Sequence, residues 1–151
     1  METTTESPDP AGATARGIDL PRLLTLAERR VTTRLSAALG AAGGTVEEWR
    51  VMGLLADGDG HPMSEIADHA LLAPPTLTKI VDRMVSDNLV YRRADETDRR
   101  RVLVFLSERG HEAHHRLSTA ADTELAALAA HLGVPETGHL ATLLTALAAR
   151  R

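Results

Sequence analysis

The sequence contains no cysteine, which excludes a disulfide framework, a thiolate metal site and a thiol-based redox switch. It also contains no run of about 18 apolar residues that would cross a bilayer. No apolar stretch follows a basic start, as it would in a secretory signal. We therefore expect a soluble, cytoplasmic protein with no membrane partner.

Aromatic residues are scarce as well. They make up 2% of the chain, whereas hydrophobic residues as a whole make up 43%. Alanine and leucine therefore supply most of the apolar surface, which favours packed helices over a sandwich of two sheets. The length of 151 residues suits one domain, or one domain with an extension.

The motifs of common enzyme classes are missing too. The sequence has no Gly-rich phosphate loop, no nucleophile motif and no HExxH pattern. The segment Asp57–Gly60 resembles half of a calcium loop but lacks the closing glutamate, so we interpret it as a turn. We predict that the protein is not an enzyme and needs neither a cofactor nor a metal ion.

The strongest pattern lies in residues 73–106. Apolar residues there follow the i, i+3, i+4, i+7 spacing of one buried helical stripe, formed by Leu77, Ile80, Val81 and Met84. The opposite face is small, hydroxylated and basic near its N-terminus, and it consists of Pro75, Thr76, Thr78, Lys79, Asp82 and Arg83.

Such a face suits a DNA groove. Short side chains permit close approach, hydroxyls and lysine meet phosphates or base edges, and the helix dipole favours anions. We predict that the DNA-contacting residues of this helix are Pro75, Thr76, Thr78, Lys79 and Arg83. The alternative is an ordinary solvated helix face.

A shorter helix precedes this one. Pro62 fits the first position of a helix over Pro62–His69, and Leu71–Ala73 forms the turn into Pro74. Two short helices joined by such a turn predict a helix-turn-helix.

A hairpin is predicted to follow. Strand-forming residues recur at Val90–Tyr91 and Val102–Leu106, and the intervening ADETDRRR is too charged to be buried. Arg99, Arg100 and Arg101 then lie at the tip of a wing. Arginine at a hairpin tip enters a minor groove, where narrow A·T segments concentrate negative potential.

Together these segments resemble the multiple antibiotic resistance regulator (MarR) family of winged helix-turn-helix transcription factors. The motifs DNLVYRR and DETDRRRVLVFLSERG carry the resemblance, which covers Trp49–Gly110 in motif and almost the whole chain in element order. It implies a mainly α (α+β) fold. In that fold, N- and C-terminal dimerisation helices flank a winged helix-turn-helix with a two-stranded wing.

The resemblance also implies roles at the wing. It assigns Arg100 to the minor groove and pairs Asp98 with it, while Arg99 meets phosphate or solvent. The alternative for Asp98 and Arg100 is a plain surface ion pair. Lys79 stands where the family often has arginine, and lysine lacks the fork that reads guanine. Glu96 replaces the usual proline, which predicts a more flexible loop.

We divide the chain into four segments. Residues 1–17 contain almost no large apolar residue and are predicted to form a disordered tail. Residues 45–106 form the DNA-binding domain, and residues 18–44 and 107–151 form dimerisation helices. The pattern at Thr45–Glu48 predicts a capping box that opens a helix, Ser107 is predicted to be the N-cap of a long helix, and Pro135 is predicted to open the last helix. These flanking helices carry more leucine than a small core needs, so we favour a two-fold homodimer over packing within one chain.

The net charge of −4 argues by itself against binding to nucleic acid. The distribution of charge along the chain does not argue against it, because residues 74–105 carry a net charge of +2 and the rest of the chain carries −6. A basic element on an acidic body still supplies the electrostatic footprint of a DNA-binding protein.

We therefore predict a homodimeric regulator, a repressor, that binds double-stranded DNA at a pseudopalindromic operator. The family resemblance implies release by a small aromatic or phenolic effector. Two alternatives stay open: a metal-responsive regulator that uses His111, His114 and His115, and a winged-helix protein-interaction module without DNA binding. Trp49 is interpreted as a core residue, with stacking on a ligand as its alternative.

Overall fold

The computed structural model describes residues 17–149. Its elements are α1 (Leu20–Ala41), α2 (Val46–Leu55), α3 (Met63–Ala70), α4 (Pro74–Ser86), β1 (Val90–Ala94), β2 (Val102–Leu106), α5 (Glu108–Leu132) and α6 (Val134–Ala149). The predicted tail lies, except for Gly17, outside the described residues. No helix within the described range is long and apolar enough to span a membrane.

The chain divides after Thr32 into two compact units. Among the described residues, the first unit holds the beginning of α1. The second unit holds the end of α1 and every later element, including the hydrophobic core. The helix-turn-helix, the wing and α5 therefore belong to one unit.

Helix α2 begins at the predicted capping box. The Thr45 hydroxyl accepts a hydrogen bond from the Glu48 N–H, and the Glu48 carboxylate accepts one from the Thr45 N–H, each at 3.1 Å. This reciprocal pair satisfies two backbone donors that a helix start leaves open. The helix then buries Val51, Met52 and Leu55 in the core.

Helix α3 begins one residue later than the pattern predicts. Pro62 has an extended ψ of 156° and is the N-cap rather than the first helical residue. The helix ends at Ala70, and its C-cap Leu71 has a left-handed φ of 57°. The change of direction at Leu71 forms the turn of the predicted helix-turn-helix.

Helix α4 confirms the predicted stripe, because Leu77, Ile80, Val81 and Met84 are all buried. Two prolines open the helix at its first positions, where a missing N–H costs no intrahelical hydrogen bond. The buried inner face thereby holds α4 on the core and leaves its outer face exposed to solvent.

The wing is a two-stranded antiparallel sheet with Val90 opposite Leu106 and Ala94 opposite Val102. Strand β1 extends three residues beyond the predicted Val90–Tyr91. His61 adds a third, shorter pairing, because it exchanges backbone hydrogen bonds of 3.1 and 2.9 Å with Val104. The wing is thus connected by backbone to the loop before α3.

Helix α5 begins at Ser107, as predicted. The Ser107 hydroxyl accepts a hydrogen bond from the Gly110 N–H at 2.9 Å and donates to the backbone carbonyls of Asn88 and Leu89. Gly110 is buried directly against the Leu89 carbonyl, so no side chain fits there. This contact joins the long helix to the turn that leads into the wing.

Gly110→Ala is expected to destabilise the protein by about 1–3 kcal/mol, because the new methyl group meets rigid backbone at Leu89. Urea denaturation followed by circular dichroism measures the change. Gly53→Ala in α2 is the matched control, since its methyl group finds only an ordinary contact. Equal stabilities of the two variants would contradict the packing described here.

Helix α6 begins at Val134, one residue before the predicted Pro135. It has no buried residue, although its leucines form a continuous stripe. Leu140, Leu143, Leu144 and Leu147 are each at least 41% exposed. The second unit therefore leaves a strongly apolar helix without cover among the described residues.

Candidate nucleic-acid interface

The outer face of α4 is solvent-exposed at every predicted contact residue: Pro75, Thr76, Thr78, Lys79 and Arg83. The structure shows which hydrogen-bond donors of this face are free and which are already used. Pro74 and Pro75 have no N–H, and the Thr76 N–H already bonds to the Ala73 carbonyl at 3.0 Å. The first three residues of α4 therefore offer an anion no free backbone donor, and recognition depends on side chains.

Those side chains are not equivalent. The Thr78 hydroxyl donates to the Pro74 carbonyl at 3.0 Å, so its oxygen remains available only as an acceptor. Among the described residues, neither the Thr76 hydroxyl nor the Lys79 ammonium has a partner. Thr76 and Lys79 are thus the free hydrogen-bond donors of this face.

Two ion pairs hold the other charged groups of α4. Arg83 donates to Glu48 of the capping box at 3.0 Å, and Arg92 of β1 donates to Asp82 at 2.6 Å. Sequence spacing could not reveal either pair, because the partners lie 35 and 10 residues apart. These pairs connect α4 to α2 and to the wing.

The wing tip is organised by two aspartates. Asp95 Oδ1 accepts hydrogen bonds from the Thr97 N–H at 2.9 Å and the Thr97 hydroxyl at 2.8 Å. Asp98 Oδ1 accepts one from the Arg100 N–H at 3.1 Å. Such turns, in which a side chain bonds backbone two residues ahead, order a loop locally. The hydrogen bond from the Thr97 N–H, followed by that from its hydroxyl, lowers the pKa of Asp95.

The contact between Asp98 and Arg100 differs from the one that the resemblance implies. Asp98 bonds the backbone of Arg100, and no ion pair of the described residues joins the two side chains. A short carboxylate reaches the N–H two residues on more easily than it reaches the end of a long arginine. Arg99 and Arg100 are exposed and lack carboxylate partners within residues 17–149, whereas Arg93 and Arg101 each have one.

An aromatic pair stiffens the wing behind its tip. The rings of Tyr91 and Phe105 stack with centroids 5.5 Å apart, and the Arg93 guanidinium lies 4.7 Å from the Phe105 centroid. Gly60 packs against the same ring with a φ of +71°, so only glycine fits this position. The arginine tip is therefore presented on a supported hairpin.

His61 connects the turn before α3 to the wing. Its Nε2 lies 2.7 Å from Asp57 Oδ2, and its Nδ1 lies 2.9 Å from Glu65 Oε2. Only the protonated imidazole donates to both carboxylates at once. Burial alone would lower the pKa of His61, but the hydrogen bonds and charges of Glu65 and Asp57 outweigh it and raise the pKa.

A raised pKa makes the contribution of His61 to stability depend on pH. The contribution is complete below the ordinary histidine pKa of about 6.5 and is lost as pH rises through the raised value. We expect the free energy of unfolding to fall over that window, by at most about 1 kcal/mol per pair because both carboxylates are largely exposed. Urea denaturation of the wild type and His61→Gln at pH 6 to 9 tests this, and identical pH slopes would contradict it.

The histidines of α5 do not assemble a metal site. Within the described part of the chain, no group of three potential ligands is placed to hold an ion. His114 Nε2 instead lies 3.1 Å from the Ser118 hydroxyl, which accepts a hydrogen bond from the Trp49 indole at 3.2 Å. Burial, and then the charges of His111 and His115, lower the pKa of His114. The metal-responsive alternative thus finds no ligand set here.

Comparison with known proteins agrees with this geometry. Residues 45–102 match the sequence pattern of the MarR family. The HTH-type transcriptional regulator FarR of Neisseria gonorrhoeae is 29% identical over 122 residues, which cover 81% of this chain and 84% of FarR.

Two solved structures share the fold. The transcriptional repressor CouR, bound to a 23-mer DNA duplex, is similar with a TM-score of 0.79 at 23% identity, over 85% of this chain and 92% of CouR. NadR in complex with 4-hydroxyphenylacetate has a TM-score of 0.75 at 25% identity, over 100% of both chains.

The helix-turn-helix, the arginine-tipped hairpin and the long flanking helices define a winged helix-turn-helix protein that binds DNA. Residues 45–102 of the chain match the MarR family, and most of the chain is similar to a transcriptional regulator. The protein is a DNA-binding transcriptional regulator and not an enzyme.

Proposed function

We propose that the protein is a homodimeric, sequence-specific repressor of the cytoplasm that a small aromatic or phenolic molecule releases from its operator. The observation that carries this proposal is the coexistence of two exposed cationic elements in one unit. Lys79 on α4 and Arg99 and Arg100 on the wing have no carboxylate partner among the described residues. Exposed cationic side chains without a carboxylate partner are suited to binding the phosphates and bases of DNA.

Each predicted contact residue has its own role in the proposal. Thr76 and Lys79 donate to phosphates or base edges in the major groove, Thr78 accepts, and Pro75 permits close approach. Arg100 enters the flanking minor groove, Arg99 meets phosphate, and Asp98 holds the tip through backbone. Arg83 contacts DNA only if it leaves Glu48, so we assign it a secondary role.

The dimer is proposed from the exposed leucines of the terminal helices. Helix α6 exposes four leucines in one stripe, and the start of α1 exposes Leu20 and Leu23 at 50% and 48%. Exposed apolar stripes of this kind mark an interface in soluble proteins. A two-fold dimer places two α4 helices in successive major grooves, about 34 Å apart.

Release by an effector is proposed from the family and from the solved relatives. NadR binds 4-hydroxyphenylacetate, an aromatic acid, and it is similar to this chain over its full length. A ligand that binds one spacing of the two α4 helices better than another shifts the dimer away from DNA.

Selection of bound fragments from random duplex DNA tests the proposed function. We expect an enriched pseudopalindrome whose affinity falls steeply with salt, because each neutralised phosphate contributes about −0.9 to the log–log slope. A panel of aromatic acids then tests release of the selected duplex. Failure to enrich any sequence over bulk competitor DNA would contradict the proposal and favour the protein-interaction alternative.

A further inference from the structure

The loop between α2 and α3 (residues 56–62) pairs with the wing, and His61 is the residue through which it does so. His61 and Val104 of β2 exchange backbone hydrogen bonds of 3.1 and 2.9 Å. Beside His61, Gly60 packs against the ring of Phe105 on the same strand. The β2 edge of the wing is thus attached to this loop, and a movement of the loop changes where the wing lies.

The imidazole of His61 ties the two ends of this loop together. Its Nε2 contacts Asp57, which lies just after α2, and its Nδ1 contacts Glu65 in the first turn of α3. Asp57 also accepts a hydrogen bond from the Asp59 N–H at 3.0 Å, so its carboxylate is held within the loop. The His61 side chain is only 15% exposed, which keeps water from replacing either contact. A ring that makes both contacts as a donor carries a proton on each nitrogen.

We propose that His61 is a positioning residue for DNA recognition: its protonated ring fixes the loop that pairs with β2, and the loop holds the wing where Arg100 reaches the minor groove. When the ring releases one proton to water, a single N–H remains, so only one of the two carboxylates keeps its hydrogen bond. The loop is then free on one side, and the wing loses its fixed place relative to α4. The proposal rests on the proposed function of the wing and adds a response to pH.

The charges around this loop favour the protonated ring. Four charged groups face it from the surrounding elements: Asp57 and Asp59 from the loop, Glu65 from α3 and, across the Phe105 ring, Arg93 from the wing. Residues 51–55 of α2 and all of β2 are uncharged. Burial lowers the pKa of His61, but Glu65 and Asp57 outweigh it and raise the pKa. The fixed state is therefore complete below the ordinary histidine pKa of about 6.5 and is lost as pH rises through the raised value.

DNA binding of the full-length protein, measured between pH 6 and 9, tests this assignment. Two duplexes share the selected operator core and carry either A·T or G·C flanks, so their difference in affinity reports the wing rather than α4. At pH 6 we expect the duplex with A·T flanks to bind more tightly. This preference should fall by about threefold to fivefold per wing as pH rises, which is the size expected for ion pairs with exposed carboxylates.

Variants separate a role that depends on the proton from a purely structural one. His61→Gln should show the weak flank preference at every pH, whereas His61→Arg keeps a charge and donors for both carboxylates and should hold the strong preference at pH 9. Glu65→Gln and Asp57→Asn each remove a charge that raises the pKa of His61, so the preference should be lost at lower pH. His69→Gln is the matched control, because His69 is the only other histidine in residues 45–106 and is exposed on α3. It should leave the pH profile unchanged.

Three results would overturn the role of His61. These are a flank preference that is constant from pH 6 to 9, a pH profile that neither Glu65→Gln nor Asp57→Asn moves, and a loss of affinity in His61→Gln that is equal for both flanks. The last result would make His61 a phosphate contact. Glu65 and Asp57 are exposed, so their variants decide the matter even if His61→Arg does not fold. Absence of any sequence-specific binding at pH 6 would instead overturn the proposed function.

Discussion

Leu143→Glu combined with Leu147→Glu is expected to convert the protein into a monomer and to weaken operator binding by about 10²–10⁴-fold. The two leucines lie one helical turn apart on α6 and are 54% and 50% exposed. In a dimer, binding of the second half-site is intramolecular, so its free energy adds to the first without a second loss of translational freedom. Two carboxylates in the apolar interface remove that advantage, because their desolvation has no compensating partner.

Sedimentation velocity measures the oligomeric state of this variant, and fluorescence anisotropy with a labelled palindromic duplex measures its affinity. Thr142→Glu, on the opposite face of α6, also adds a carboxylate to this helix and should leave both unchanged. Neither leucine belongs to the core, so thermal unfolding of the winged domain should persist in the variant. A variant that remains dimeric, or a monomer with full affinity, would contradict the proposed interface.

Arg100→Ala is expected to weaken operator binding by about 1–3 kcal/mol per wing, and by roughly twice that in a dimer whose wings act independently. Arg100 is exposed, its backbone is fixed by Asp98, and it has no carboxylate partner to break among the described residues. The loss should be greatest for operators with A·T-rich flanks, whose narrow minor groove strengthens the attraction for arginine.

Anisotropy titrations against operators with A·T and G·C flanks separate this role from binding to a phosphate. Arg99→Ala is the matched control, because removal of a cation that binds phosphate should weaken all duplexes alike and reduce the salt slope by about one per wing. If Arg100→Ala reduced affinity equally for both flanks, Arg100 would bind phosphate rather than the minor groove. If it reduced neither, Arg100 would not belong to the interface.

Local signals predict the helices and their caps. The capping box at Thr45, the Ser107 cap and the buried stripe of α4 each depend on residues within one or two turns, and each is confirmed. The boundaries differ by one residue at Pro62 and at Pro135, because proline fits both the N-cap and the first turns of a helix.

Contacts between distant residues are not predictable from the same signals. The Arg83–Glu48 pair, the Arg92–Asp82 pair and the backbone pairing of His61 with Val104 depend on how α2, α4 and the wing come together. These contacts change the interpretation of one site residue. The sequence predicts Arg83 as a free DNA contact, but in the structure its guanidinium forms an ion pair with Glu48.

The order of the wing tip is also hidden in the sequence. Replacement of the usual proline by Glu96 predicts a flexible loop, yet Asp95 and Asp98 supply side-chain hydrogen bonds that hold the turn. A signal for this exists, since aspartate two residues before a backbone donor is typical of such turns.

Hydroxyl-radical footprinting of the protein on its selected operator tests whether two subunits present one helix and one wing each to a single duplex. We expect two symmetric protected regions centred about 34 Å apart along the duplex, each flanked by protection of the adjoining minor groove. A single unsymmetrical protected region, or uniform protection that bulk competitor DNA abolishes, would contradict it.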